Sequence, residues 1–259
     1  MKRVVFASWS DVPHLTEEMK LAQLADMDPH MRDARTRGIP FFGSGAVYPV
    51  PTEVIEIKPF TIPDSWPRAF GMDVGWNRTA AIWGALDRAS DILYLYDEHY
   101  VAEENPNTHA NAIMGAGINS NYRAKWLPGV IDPAANGRSQ NDGTRLLETY
   151  RNLGLDLEMA TNAVDTGIHE AWLRLSSGRL KVFSTLQYFF KEYLLYRRDK
   201  QGKILKNKAR PDHLLDSMRY LVVSGLQRMK PVPYSVLHNN ERPEYGDPFA
   251  MSERSWMAS

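Results

Sequence analysis

The sequence predicts an α/β fold, a mixed central sheet with helices on both faces. Two observations carry that prediction. Between Arg68 and Val101 three short apolar runs are separated only by turn residues, the pattern of successive antiparallel strands. From residue 126 onward strand-like and helix-like segments alternate, the pattern of a sheet with helices packed on its faces. With 259 residues, 43% of them apolar, the chain can fill a sizeable core.

Taken in order, residues 1–65 read as an arm or linker. They hold an apolar start, a charged helical stretch from Leu15 to Arg37 and a Gly- and Pro-rich stretch from Gly38 to Pro51, with no core pattern of their own. Residues 66–229 carry the predicted domain. Strands are expected over 68–74, 80–86 and 92–101, broken by Asn77-Arg78 and by residues 87–91. A helix over 107–114 and a buried strand over 126–131 come next, then an amphipathic helix over 142–152 that Gly154 ends. A strand over 155–159, a helix over 165–175, a strand over 180–182 and helices over 186–197 and 212–226 complete it. Residues 230–259, rich in Pro, Glu and Asn, are expected to form a flexible tail.

Composition narrows the chemistry. No run approaches the roughly 20 apolar residues of a membrane span, and the first residues lack the apolar core of a secretory signal, so a cytoplasmic compartment and no membrane partner are expected. Cysteine is absent, which excludes disulfides, thiolate metal sites and a cysteine nucleophile. Any metal would sit on oxygen or imidazole donors. Net charge is zero, so nucleic-acid binding would need a local patch. One exists between Arg197 and Arg210, where seven basic residues face one acidic residue, Asp199, for a local net of +6. Alone it reads as a solvated hairpin.

Three acidic motifs stand out. Phe70-Gly71-Met72-Asp73-Val74-Gly75 delivers an aspartate at the end of a predicted strand, where Asp is disfavoured. It also suits a turn-opening aspartate. Leu127 to Ile131 is an apolar run that delivers Asp132, with Pro133 stopping the strand at the carboxylate. In open α/β sheets ligands gather at that edge, although Asp is also a common cap at such junctions. In the third motif Asp212, His213 and Asp216 fall at helical spacing on one side, opposite an apolar stripe of Leu214, Leu215, Met218, Leu221 and Val222. Two like charges four residues apart repel, a cost that a cation would offset. Asp212 equally suits the start of a helix and His213 a surface position. Three carboxylates of this kind suit Mg²⁺ or Mn²⁺ as a pair of ions hydrolysing a phosphodiester.

The order of these elements resembles the RNase H-like superfamily. The three motifs, the last read as Asp212-His213-Leu214-Leu215-Asp216-Ser217-Met218-Arg219-Tyr220, look like the C-terminal nuclease half of phage terminase large subunits. Ala7 to Leu15, Arg35 to Pro40 and Gly43 to Val50 are similar to the stretch joining the motor ATPase to the nuclease in that family. The resemblance implies metal ligation and catalysis by Asp73, Asp132 and Asp216, with Asp212 and His213 as accessory ligands. It also implies double-stranded concatemeric DNA as substrate, a terminase small subunit and a portal protein as partners, and work in the host cytoplasm. Asn77, Arg78, Lys203, Lys206, Lys208 and Arg210 become candidate phosphate contacts. Alanine at each of the three principal aspartates is expected to abolish cutting and spare the fold. One departure matters: the sequence holds no GxxxxGK[ST] phosphate loop, so the motor ATPase is not encoded here and a fragment or split product is expected.

Rivals remain open at this level. Asp73-Val74-Gly75-Trp76-Asn77-Arg78-Thr79 also fits the DxGxxxT phosphate turn of actin-like and sugar-kinase phosphotransferases, without their second phosphate turn. Other RNase H-like nucleases, junction resolvases among them, share the metal site. A non-enzymatic docking module of a packaging assembly is the remaining alternative.

Overall fold

A computed structural model of the chain describes residues 16–25, 45–115, 126–137, 145–199, 201–205 and 211–237. A helix α1 (Glu17–Ala25) and a short α2 (Thr52–Ile55) lead into seven strands. They are β1 (Glu56–Ile57), β2 (Arg68–Asp73), β3 (Thr79–Asp87), β4 (Ile92–Val101), β5 (Pro128–Ile131), β6 (Asp156–Met159) and β7 (Leu180–Phe183). They form one sheet in the order β1-β7-β4-β3-β2-β5-β6. The β2–β3 and β3–β4 pairs are antiparallel and the others parallel, so the sheet is mixed, as the sequence predicts. Helices α3 (Pro106–Ile113), α4 (Leu146–Asn152), α5 (Val164–Ser176), α6 (Gln187–Leu195), α7 (His213–Tyr220) and α8 (Tyr234–Leu237) complete the fold.

The register says which face each helix covers. Gly71 pairs with Ile82, which pairs with Glu98, and Asp73 pairs with Ala80, which pairs with Tyr100. Paired residues share a face and neighbours along a strand alternate, so Gly71, Asp73, Glu98 and Tyr100 look the same way. Glu98 accepts the Tyr188 and Phe189 amides of α6, both at 2.9 Å, which docks that helix on this face. Met72, Ala81 and His99 look the other way, where His99 meets His109 of α3 at 2.9 Å. Helices therefore do cover both faces. The core between the layers includes Phe70, Trp83, Leu95, Phe189 and Met218, each 1% exposed or less.

The described structure redraws three edges. Residues 45–62, expected in the arm, belong to the core: Val47, Tyr48, Val50, Ile55 and Ile62 are buried, and β1 adds a strand beside β7. They bury apolar side chains too sparse in sequence to show a period. Lys230, expected in the tail, bridges Arg68, and Val232 is buried with its amide on the Asp64 carbonyl at 3.1 Å. The helix expected over 212–226 is regular only to Tyr220, then widens into a π-type turn (Leu221–Gly225) and a tight 3₁₀ turn (Leu226–Arg228). Most of residues 1–44, and all of 238–259, lie outside the described residues.

Candidate active site

Asp73 and Asp132 become neighbours because their strands are. β2 and β5 run parallel with Met72 opposite Ile131, and the Asp132 amide donates to the Met72 carbonyl at 2.9 Å. Each aspartate is thus the residue at the C-terminal edge of adjacent strands, where such sheets present ligands. Asp132 Oδ1 accepts the Ala134 amide at 3.1 Å, opening the 3₁₀ turn (Pro133–Asn136) that Pro133 begins. The capping role considered from sequence is real, and it coexists with the site.

Helix α7 brings the third carboxylate. It crosses β2 at Gly71, where a Cβ would run into the Ser217 carbonyl, so only glycine lets the helix come this close. The contact seats His213 over the strand end, its Nδ1 2.8 Å from Asp73 Oδ2. Asp216, one turn on, is 8% exposed. Burial raises the pKa of Asp73, the His213 bond works against that rise, and the charges of Asp216 and Asp132 add to it. Asp73 is therefore close enough to feel both other carboxylates. The Asp73 bond is also the main cause that raises the pKa of His213.

Each of the three carboxylates has a protein donor from α7. His213 meets Asp73, Arg219 donates from Nε and Nη2 to Asp216 Oδ1 at 3.1 and 3.0 Å, and the Tyr220 hydroxyl donates to Asp132 Oδ1 at 3.0 Å. Among the described residues no three acidic or histidine groups already stand at the spacing that encloses one ion. The donor set nevertheless fits a hard divalent cation. It consists of carboxylate oxygens, the kind of donor such ions take, and a cation would offset the burial and like charges that raise the pKa of Asp73. Asp212 occupies the N-cap of α7, buried and one turn before Asp216.

The candidate DNA contacts divide. Asn77 is exposed in the loop after Asp73, and Arg78 lays its guanidinium 4.5 Å over the Tyr100 ring. Tyr100 in turn stacks on Tyr188 at 4.8 Å, with its ring centroid 6.4 Å from that of His213. Thr79, of the rival phosphate turn, is 3% exposed and donates its hydroxyl to the Gly75 carbonyl at 3.3 Å. Lys203 is exposed on a hairpin closed by the Arg198–Ile204 bridge, the solvated hairpin considered from sequence. Lys206, Lys208 and Arg210 lie outside the described residues.

Four residues near the carboxylates had no role in the sequence reading. Glu192 of α6 is 1% exposed and accepts the Leu214 amide at 2.7 Å, capping α7 beside His213. Burial raises its pKa, with bonds from Tyr100 and Leu214 opposing. A lone Glu among the apolar residues of α6 was the available signal. Arg219 and Tyr220 close the last motif, where the sequence reading gave neither of them a role. Tyr48 comes from the stretch expected in the arm, yet is buried against the rings of Tyr193 and Tyr196, and the Asp216 charge adds to the burial that raises its pKa.

No protein-family model matches the chain. The terminase large subunit of Enterobacteria phage LP7 is 33% identical over 229 residues, covering 85% of this chain and 46% of that protein. That of Salmonella phage P22 is 33% identical over 229 residues, covering 85% of this chain and 44% of that protein. The chain thus spans less than half the length of the curated relatives it matches. Among solved structures, the P22 large terminase nuclease domain superposes with a TM-score of 0.62 at 28% identity, over 75% of this chain and 98% of that one. The large terminase of a thermophilic bacteriophage, at TM-score 0.58 and 18% identity over 85% of this chain and 55% of that one, shares the fold.

Proposed function

The chain belongs to the terminase large subunit family, over its nuclease part, and on that ground we propose that it is a divalent-metal-dependent endonuclease cutting double-stranded concatemeric viral DNA during genome packaging. The observation that carries the reading is the placement of Asp73 and Asp132 at the ends of adjacent parallel strands, with the helix that carries Asp216 crossing β2 at Gly71. These three would hold Mg²⁺ or Mn²⁺, as two ions, with Asp212 and His213 as accessory groups. Bound there, such ions supply an activated water and stabilise the leaving oxygen of an in-line displacement.

The chain's own residues account for the rest. His213 holds Asp73 in one orientation through Nδ1, and Glu192 holds the first turn of α7 that carries His213. Asn77 and Arg78 lie in the loop that leaves Asp73, where an amide and a guanidinium suit a phosphate backbone. Lys203, exposed on its hairpin, is a further candidate phosphate contact, and Lys206, Lys208 and Arg210 follow it in the sequence. In the assembled motor the partners would be the small subunit and the portal, in the host cytoplasm.

The test is plasmid cleavage by the purified chain with Mn²⁺, Mg²⁺ or EDTA, alongside Asp73→Asn and with ATP hydrolysis followed in parallel. Cleavage that needs both metal and Asp73 is expected. Cutting that survives EDTA, or survives the loss of Asp73, would remove the acidic site from the reaction.

A further inference from the structure

Arg219 is 2% exposed, on the same helix as Asp216 and Tyr220. Burying a guanidinium is costly unless its charge and donors are met. Here one oxygen of Asp216 takes two of its donors, while Nη1 is buried with no hydrogen-bond partner among the described residues. Its guanidinium carbon lies 4.4 Å from the centroid of the Tyr220 ring. Residues next to each other on a helix do not ordinarily face one another. The long arginine stem folds back to make this contact, and Gly167 of α5 leaves the room, since a Cβ there would come within 2.7 Å of Arg219 Cγ.

Tyr220 then reaches the other way. Its hydroxyl leaves the helix to meet Asp132 at the end of β5, on the same oxygen that accepts the Ala134 amide. Two consecutive side chains therefore join a carboxylate on a helix to a carboxylate on a strand end. The order is Asp216, Arg219, Tyr220, Asp132, with hydrogen bonds at both ends and a cation over a ring in the middle. Each end is held by Oδ1. Fixing one oxygen of a carboxylate sets the plane of the group and so aims the other.

We propose that Arg219 and Tyr220 are a pair of positioning residues that set the separation and orientation of Asp216 and Asp132 for capture of a divalent ion. This rests on the acidic site being a metal site, and names the groups that hold its ligands in place. Left alone, neighbouring carboxylates repel and turn apart. Donors anchored on one helical turn oppose that. Removing the groups that orient metal ligands typically weakens metal affinity about 10–100-fold.

The experiment is a calorimetric titration of the EDTA-stripped chain with MnCl₂, with thermal melting of each variant measured beside it. Tyr220→Phe keeps the buried ring and loses only the hydroxyl, so its melting temperature stays near the parent's while Mn²⁺ affinity falls about tenfold or more. Arg219→Lys keeps the charge, loses the two-point bond to Asp216 and weakens Mn²⁺ similarly. Because the two residues act as one link, the double variant falls short of the sum of the single losses. A folded Tyr220→Phe with unchanged Mn²⁺ affinity overturns the proposal, and it decides the matter alone if Arg219→Lys does not fold. Asp73→Asn separates the two levels. If it abolishes Mn²⁺ uptake while Tyr220→Phe does not weaken it, the metal site stands and the link falls; if the parent chain takes up no Mn²⁺, both fall.

Discussion

Asp216 shows how far one carboxylate can serve two ends at once. It is a candidate metal ligand and also the counter-charge of a buried arginine, with side-chain exposures of 11% and 3% for the two. Removing one partner of a buried pair leaves the other charge uncompensated, at a typical cost of about 3–5 kcal/mol. Asp216→Ala is therefore expected to lower stability by that order in chemical denaturation as well as abolish cleavage, whereas Asp216→Asn keeps an acceptor for Arg219 and loses less. For Asp216 this prediction departs from the expectation, drawn from sequence, that alanine at each of the three aspartates spares the fold. Asp132 differs: its oxygen meets a neutral tyrosine hydroxyl and a backbone amide, so Asp132→Asn should abolish cutting with only a modest loss of stability. A urea series on both variants would separate them, and equal losses would contradict the burial argument.

Two contacts between elements carry predictions, one beside the candidate site and one on the opposite face of the sheet. The first is α7 against β2 at Gly71. Gly71→Ala places a methyl against the Ser217 backbone, which no flexible side chain can yield to, so the helix must lift and carry Asp216 and His213 away from Asp73. Overpacking of this kind costs about 1–3 kcal/mol or more, and loss of metal-dependent cutting in a chain still folded by circular dichroism is the expected result. The second is α3 against β4 on the opposite face. The His99 and His109 rings meet nitrogen to nitrogen, so one must carry a hydrogen there and the other must not. Burial lowers the pKa of His109 below 6.5, with Glu104 opposing. Between that lowered value and 6.5 the unfolded chain binds more protons than the folded one, so this contribution is complete above pH 6.5 and declines as pH falls below it. Melting temperatures from pH 7.5 down to 5 should therefore drop less in His109→Gln than in the parent. An identical drop in both would mean that the pair does not couple to folding.

At the scale of the molecule, neutral net charge and a few local cations would set the terms of the proposed DNA binding. Affinity for duplex is expected to come from phosphate contacts and to fall steeply with salt, with a slope of about −0.9 per phosphate neutralised. Arg78→Ala and Lys203→Ala should each flatten the log–log slope by about one if they touch phosphate. The chain spans less than half of its curated relatives and holds no P-loop motif. Cutting without ATP turnover is the matching expectation for the purified chain. ATP hydrolysis without cutting would instead favour the phosphotransferase turn at Asp73, Gly75 and Thr79.

The sequence alone determined the layered α/β class, the order of six of the seven described strands and three aspartates as candidates, because alternation, turn residues and a polar group where a strand ends are local signals. It also contained the words that tie the chain to its family. Only the tertiary structure decided that Val47 to Ile62 join the core, that β1 lies beside β7, that Arg219 and Tyr220 bond Asp216 and Asp132, and that Glu192 caps the helix carrying His213. These depend on contacts between residues far apart in the chain. Tyr220 reaches Asp132 across 88 positions, a distance at which no periodicity reports which side chains will meet.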